Sequence, residues 1–441
     1  MDGTVPESRL DDMVHRILRS EIKSGVIDDP PQPRVPDVFA GLEFARKVEE
    51  QGIVLLKNRA GVLPLDPSKA QRILVVGSHA DVGVLSGGGS AQVDPPGGNA
   101  VAGSSAAHAS VWMPSSPLRA LRVQMPQATI VFDTGTDPGE AAKQAAKADV
   151  AIVFVNQPTG EGRDWTLTLP DNQDALVDAV ATTNKNVIAV LETGGAVLMP
   201  WAHKTAAIVA AWYPGISGGQ AMAEVLTGAL NPSGKLPVTF PQTIADLPHA
   251  EVFGSELLRA QEQRPPAGGL GPDIGGGQRM SPFDAPYNEG LQVGYKWYDA
   301  RQKTPLFAFG YGLSYTSYGY SNAHLSHKEG EIEFTFDVRN TGIRPGAEVS
   351  EVYLAMPQSA GEPPKRLVGW SRTELRAGEQ KTVTVWIDPH YCAVFNAGKH
   401  GWELVGGDYK LLIGKSSREI PLTQSLHLEQ AWLAPLSAEE K

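Results

Sequence analysis

Glu161 lies between two glycines in the run Pro158-Thr159-Gly160-Glu161-Gly162-Arg163-Asp164-Trp165. The run follows an apolar stretch, Asp149 to Val155, that reads as a buried strand, and precedes a helix opened by Pro170. A carboxylate just past the carboxyl end of a sheet strand stands where open α/β sheets place their ligands. Glycine on each side allows a sharp turn and a close approach by substrate. The chemistry this pattern suits is proton transfer, with Glu161 as general acid/base. On the loop alone, a solvated glutamate beside turn glycines is the plainer alternative.

A second constellation, Gly215-Ile216-Ser217-Gly218-Gly219, has the Gly-x-Ser-x-Gly spacing of a nucleophile elbow between strand and helix. It would make Ser217 the nucleophile of a serine hydrolase, with Asp246 and His249 as partners. Pro214 ahead of the turn, and the crowding of both partners into one loop, weigh against it. Gly87-Gly88-Gly89-Ser90 lacks the Lys-Ser/Thr that completes a phosphate cradle, and reads as a flexible loop near whatever binds at the sheet edge. Trp201, Trp212 and Trp297 offer faces for sugar stacking, although an aromatic is more often core. His79-Ala80-Asp81 has no third ligand at metal spacing, so neither metal nor cofactor is expected.

Elements that would carry these residues alternate along the chain. Strands are expected at Arg72 to Gly77, Thr129 to Asp133, Asp149 to Val155, Val187 to Leu191 and Ala207 to Ala211. Helices are expected at Gly41 to Gly52, Pro117 to Gln124, Pro138 to Lys147, Pro170 to Thr183 and Gly218 to Gly228. Short apolar strands alternating with helices predict a parallel sheet covered on both faces, an α/β domain over 41–248. From 249 to 320 a Gly- and Pro-rich stretch gives way to an aromatic segment that reads as pinned between domains. From 321 to 430 the period changes to two: Ile332, Phe334, Phe336 and Val338 alternate with polar residues, as do Val383, Val385 and Ile387, and Tyr409, Leu411 and Ile413. Roughly seven such strands in about 110 residues predict an immunoglobulin-like sandwich. Residues 431–441 read as a tail.

At the other end, Leu10, Met13, Val14, Ile17 and Leu18 recur at helical spacing, with Ser8 as a cap near the start and Gly25 near the end. This helix is followed by a proline-rich linker over 30–40 and has no evident partner in the chain. Its apolar stripe is expected to stay partly uncovered.

The 441 residues carry 38 basic and 49 acidic side chains, a net charge of −11 that argues against a nucleic acid or an anionic membrane as partner. No apolar run is long enough to span a bilayer. Cys392 is the only cysteine, which excludes an internal disulfide and a cysteine zinc cluster. Cytoplasm and periplasm are both compatible with that, and localisation stays open.

Several longer stretches resemble glycoside hydrolase family 3, in particular its bacterial β-glucosidase branch. They are Glu49-Glu50-Gln51-Gly52-Ile53-Val54-Leu55-Leu56-Lys57-Asn58, Gly87 to Val93, Leu167-Thr168-Leu169-Pro170-Asp171-Asn172-Gln173 and Leu191-Glu192-Thr193-Gly194-Gly195. Trp212-Tyr213-Pro214-Gly215, Asn231-Pro232-Ser233-Gly234-Lys235-Leu236-Pro237 and Phe309-Gly310-Tyr311-Gly312-Leu313-Ser314-Tyr315 complete the set. The resemblance implies that 321–430 is a fibronectin type III-like domain and that 1–29 corresponds to the last helix of an N-terminal (β/α)₈ barrel otherwise missing from this sequence. It implies Glu161 as the acid/base, with Ser90, Arg163, Asp164 and Trp165 in substrate binding. Trp165 stands where the family pattern Glu-Gly-x-Asp-Arg has arginine. The aspartate nucleophile would come from the barrel, and no Ser-Asp-Trp-like segment occurs in this sequence. The implied substrate is terminal β-linked glucose on a small glycoside or oligosaccharide, hydrolysed with retention, and the chain alone is expected to be inactive. Implied partners are a separately encoded barrel subunit or a second copy of the chain. A non-catalytic module that binds glycans or another subunit is the alternative, beside the Ser217 hydrolase.

Overall fold

The computed structural model describes residues 5–35, 37, 39–87, 115–157, 159–160, 166–251, 253, 283–328 and 331–434. The chain divides into two compact units, Met1–Gly41 and Leu42–Lys441. The first is built on helix α1, Glu7–Ser24. Pro6, rather than Ser8, takes the N-cap, and its carbonyl accepts from Arg9 N at 3.0 Å. Ser8 already lies inside the first turn and comes too late to cap it. Gly25 closes the helix at φ 76°, the left-handed conformation that glycine adopts without penalty. No residue of α1 is buried, and Leu10, Met13, Val14, Ile17 and Leu18 are all exposed.

The second unit begins with α2 (Leu42–Gly52) and β1 (Val54–Asn58). There follow β2 (Arg72–Val76), α3 (Pro117–Gln124), β3 (Thr129–Asp133), α4 (Pro138–Ala145), β4 (Val150–Gln157), α5 (Gln173–Thr183), β5 (Val187–Thr193), β6 (Ala207–Ala210) and α6 (Gly218–Thr227). The strands form one sheet in the order β1-β6-β5-β4-β2-β3, with β2 to β6 parallel. The sheet is mixed rather than wholly parallel, because β1 runs antiparallel to β6, Val54 opposite Ala210 and Asn58 opposite Ala207. An apolar run records burial and not direction, so Ile53 to Leu56 could not reveal this reversed edge strand. Along β5, Val187, Ala189 and Leu191 pack toward α4 and α5, while Ile188 and Val190 pack toward α3 and α6. The sheet is thus covered on both faces. Helix α5 starts at Gln173 and not at Pro170, since Asp171 and Asn172 take φ values of 56° and 62°, through which a right-handed helix cannot run. Among the described residues no helix is long and apolar enough to cross a membrane.

After α7 (Tyr295–Ala300) the chain becomes all β. Its strands are β7 (Tyr318–Lys328), β8 (Glu331–Asn340), β9 (Gly346–Ala355), β10 (Arg366–Leu375), β11 (Gln380–Ile387), β12 (Val394–Asn396), β13 (Gly401–Leu404), β14 (Gly407–Gly414), β15 (Leu422–Leu428) and β16 (Ala431–Leu433). Two sheets, β10-β9-β14-β15 and β11-β8-β7, make a seven-stranded sandwich, with β12-β13-β16 as a small side sheet. The alternating residues of β8, β11 and β14 fill its core: Phe334, Phe336, Val338, Ile387, Leu411 and Ile413 are buried together.

Two of the motif stretches join the halves. Asn231 Oδ1 accepts from Ser314 Oγ at 2.8 Å and Tyr315 N at 2.7 Å. Leu236 N donates to Tyr311 O, and Phe240 N to Phe307 O, both at 2.9 Å. Between these bonds Lys235 reaches Glu348 on β9, with Nζ 3.6 Å from the carboxylate.

Candidate active site at the carboxyl edge of the sheet

Glu161, Arg163, Asp164, Trp165 and Ser90 lie outside the described residues. The ground from which their two segments leave is well defined. Tyr213 follows β6, and its hydroxyl donates to Gln157 O at the end of β4 while accepting from Thr159 N at 2.9 Å and pairing with Thr159 Oγ1 at 2.6 Å. On the far side of the loop, the Gln157 side-chain amide donates to Thr166 O at 2.7 Å and Thr168 O at 3.0 Å. Leu198 N holds Leu167 O at 2.7 Å. The two ends of the Glu161 loop are therefore clamped to the same strand end.

The Ser90 segment leaves from the same spot. A Cβ added to Gly87 would stand 2.7 Å from Tyr213 Cε2, and one added to Gly194 would stand 2.6 Å from Thr159 Oγ1. Only glycine lets three chain segments meet around the tyrosine ring. The residue before it, Trp212, takes φ 54°, a conformation that costs a bulky side chain about 1–3 kcal/mol. It is held there by Trp212 Nε1 donating to Gly52 O at 3.0 Å and by edge-on packing against Phe240.

Polar side chains continue the floor. Gln173 Oε1 accepts from Asn156 N and Gln173 Nε2 donates to Asn156 O, both at 2.8 Å, so one side chain finishes β4 as a neighbouring strand would. Asn156 Nδ2 reaches Ser78 Oγ at 3.3 Å and His79 Nδ1 at 2.8 Å. Beside Asn156 in the parallel register stands Glu192, fully buried. Burial pushes its carboxyl up to about 8, against the lowering effect of Val84 N, which donates to Oε1 at 3.3 Å, and with a further push from Glu49. Glu49 on α2 is also buried, and desolvation raises it to about 8. Among the described residues Glu192 Oε2 and Glu49 Oε1 have no hydrogen-bond partner.

The other sequence-derived residues are placed elsewhere. Ser217 Oγ donates to Leu42 O at 3.2 Å, and the groove beside it is lined by Ser115, Ser116, Arg119, Gln124 and Gln220, with no imidazole or carboxylate among the described residues. His249 pairs with Glu289 at 2.7 Å, and Asp246 caps Thr243 N at 3.0 Å. The constellation expected around Ser217 is not assembled, because each member is satisfied by local partners. Trp201 is core, its Nε1 donating to Asp174, and presents no face for stacking. Trp297 is half-buried, its Nε1 donates to Asp246 O at 2.8 Å, and the Arg301 guanidinium lies over its ring at 4.7 Å. Among the described residues no group of three metal-ligating side chains occurs.

The profile described as "Glycosyl hydrolase family 3 C-terminal domain" matches residues 53–315, and a fibronectin type III-like profile matches 348–417. The chain belongs to glycoside hydrolase family 3. It is 38% identical to Beta-glucosidase B of Emericella nidulans over 308 residues, which is 66% of this chain and 34% of that protein. It is 31% identical to Thermostable beta-glucosidase B of Acetivibrio thermocellus over 450 residues, 97% of this chain and 53% of that one. Among solved structures it is similar to DesR, a β-glucosidase from Streptomyces venezuelae, with a TM-score of 0.81 and 28% identity across 97% of this chain and 65% of that chain. The chain spans about a third to a half of the length of these two curated relatives. Within this family 3 fold, the sequence reading missed Tyr213, Gln157 and Gln173 as the residues that hold the loop. Tyr213 and Gln173 were visible as members of motif stretches, but no periodicity assigns a clamp to them. Gln157 carried no signal.

Proposed function

We propose that this chain is the acid/base-bearing portion of a retaining β-glucosidase, with Glu161 as proton donor and Ser90, Arg163, Asp164 and Trp165 in sugar contacts. The observation that supports it is the Tyr213 clamp: two separate segments, leading to Glu161 and to Ser90, are brought to one place at the carboxyl edge of the sheet. A retaining glycosidase needs two carboxyl groups about 5–5.5 Å apart. These residues offer a proton donor and no nucleophile, so on this reading the chain by itself does not turn over aryl β-glucosides. The nucleophile is to come from a barrel, in the same polypeptide or another one. The substrate is a terminal β-linked glucose on a small glycoside.

The test supplies a family 3 barrel by fusion or co-expression and compares wild type with Glu161→Ala over a series of leaving groups. A positioned acid contributes ~10²–10⁴-fold, and a good leaving group needs little of it. Loss should be steepest for poor leaving groups, and azide should partly restore turnover by attacking the glycosyl-enzyme. Equal losses across the series without azide rescue would remove Glu161 from the mechanism.

A further inference from the structure

We propose that Glu192 is a positioning residue of the sheet-edge site: its carboxyl fixes the 83–87 segment through the Val84 N–H, and through it the ground from which the Ser90 and Glu161 segments depart. The link to catalysis rests on the reading above; the positioning itself does not.

Glu192 continues a row that should be apolar. Ile188, Val190 and Glu192 share one face of β5, and the first two are fully buried against the α3 and α6 side. A hydrophobic residue would fill this place without desolvating a carboxyl. What the carboxyl adds is one acceptor, Oε1, for the amide of Val84. Val84 and Leu85 are themselves buried, so that amide would otherwise be left unpaired away from water.

The tether acts in the middle of a stretch secured near its two ends. Upstream, Ala80 O accepts from Leu118 N at 2.9 Å, which ties the stretch to the start of α3. Downstream, a Cβ added to Gly87 would stand 2.7 Å from Tyr213 Cε2 and 3.3 Å from Thr159 O, so the backbone there passes close to both. Releasing Val84 therefore loosens the packing around the tyrosine that clamps the Glu161 loop.

The neutral acid is the form that fits. Among the described residues Glu49 of α2 is the ionisable group that acts on Glu192, and the charge it takes up toward about pH 8 opposes ionisation of Glu192. The flanking strands β4 and β6 bring Asn156 and no ionisable side chain, while Glu224 of α6 is engaged by Arg46. Ionisation above about pH 8 places a charge in a row that has no cation among the described residues.

The experiment is amide hydrogen exchange on this chain for wild type, Glu192→Leu and Glu192→Gln. Leucine continues the Ile188–Val190 row and keeps the fold, while glutamine keeps an acceptor oxygen. Exchange over 82–87 should be at least about tenfold faster in the leucine variant and unchanged in the glutamine variant at pH 6. In both variants α4 and β14 should keep wild-type protection. Equal protection of 82–87 in wild type and Glu192→Leu overturns the proposal. Should Glu192→Leu fail to fold, Glu192→Met takes its place, and equal protection of 82–87 in that variant overturns it. Exchange reads no turnover, so failure here leaves the β-glucosidase reading standing, and failure of the Glu161 test leaves this one standing.

Discussion

Among the described residues the larger unit buries four glutamates in two places, and the company they keep is opposite. On β9 of the sandwich, Glu348 has Lys235 Nζ at 3.6 Å and accepts from Tyr320 OH at 2.9 Å, and its neighbour Glu351 accepts from the Tyr353 hydroxyl. Burial still raises Glu351 to about 7, while the Tyr353 hydroxyl and the Lys235 charge draw it down. At the sheet edge, Glu192 and Glu49 have among the described residues no cation and one backbone donor between them, and their carboxyls are pushed to about 8. A buried carboxyl with a cation serves as a fastener between two parts of a fold. One without a cation is held as an acid, and its strength depends on pH.

The largest expected break in this comparison is Lys235→Ala. It strands Glu348 in the interface, and removal of one partner of a buried pair costs about 3–5 kcal/mol. Urea unfolding at pH 7 should show a loss of that order, shrinking toward pH 4 as Glu348 takes up a proton. A loss below about 1 kcal/mol at pH 7 would mean that the lysine is not the fastener.

The next effect concerns the uncompensated pair. A carboxyl raised in the folded state binds its proton more tightly there than in the unfolded chain. Its stabilising contribution is complete below about pH 4.5 and is lost as pH rises toward about 8. Across that window each group should lower stability by up to about 1.4 kcal/mol per pH unit. Glu192→Gln should remove one such slope, so the variant gains on wild type between pH 5 and pH 8. Parallel stability curves for the two proteins over that range would contradict the burial of an unpaired acid.

The smallest effect sharpens the contrast with a neutral site. Tyr213→Phe deletes a hydroxyl bonded to Gln157 O and Thr159 but no charge. It should cost about 1–2 kcal/mol, with no pH dependence between 5 and 9, and speed exchange at Thr159. A Tyr213→Phe protein as stable as wild type, with Thr159 equally protected, would remove the clamp.

Much of this was legible in the amino-acid order. The expected β3, Thr129 to Asp133, and α3, Pro117 to Gln124, coincide with the observed elements residue for residue. Strong local signals explain it: a short apolar run in the one case, and Ser116 capping Arg119 N with Pro117 at the first helical position in the other. The sandwich strands were legible because period-two alternation survives wherever one face is wet. The reversed β1 and the late start of α5 were not, since strand direction and two left-handed residues leave no trace in hydrophobicity.

The candidate site divides in the same way. Glu161 stood out by its glycines, and Ser217 by a matching motif that Pro214 and its crowded partners already weakened. Packing adds a backbone carbonyl as the partner of Ser217 and a tyrosine clamp at the stem of the Glu161 loop, while Glu161 itself lies outside the described residues.

Sequence by itself determined that this chain alternates buried strands with helices and ends in a sandwich, because burial and pleat impose periods on composition. It also determined the chemistry on offer, a carboxylate between glycines and a single thiol, Cys392. Only the tertiary structure decided which distant segments share a floor and that Lys235 meets Glu348 across more than a hundred residues. It alone buried Glu192 at the end of an apolar row and Glu49 on α2, with no cation beside them among the described residues. Those outcomes depend on desolvation and on partners brought together by packing, and neither is a property of neighbours along the chain.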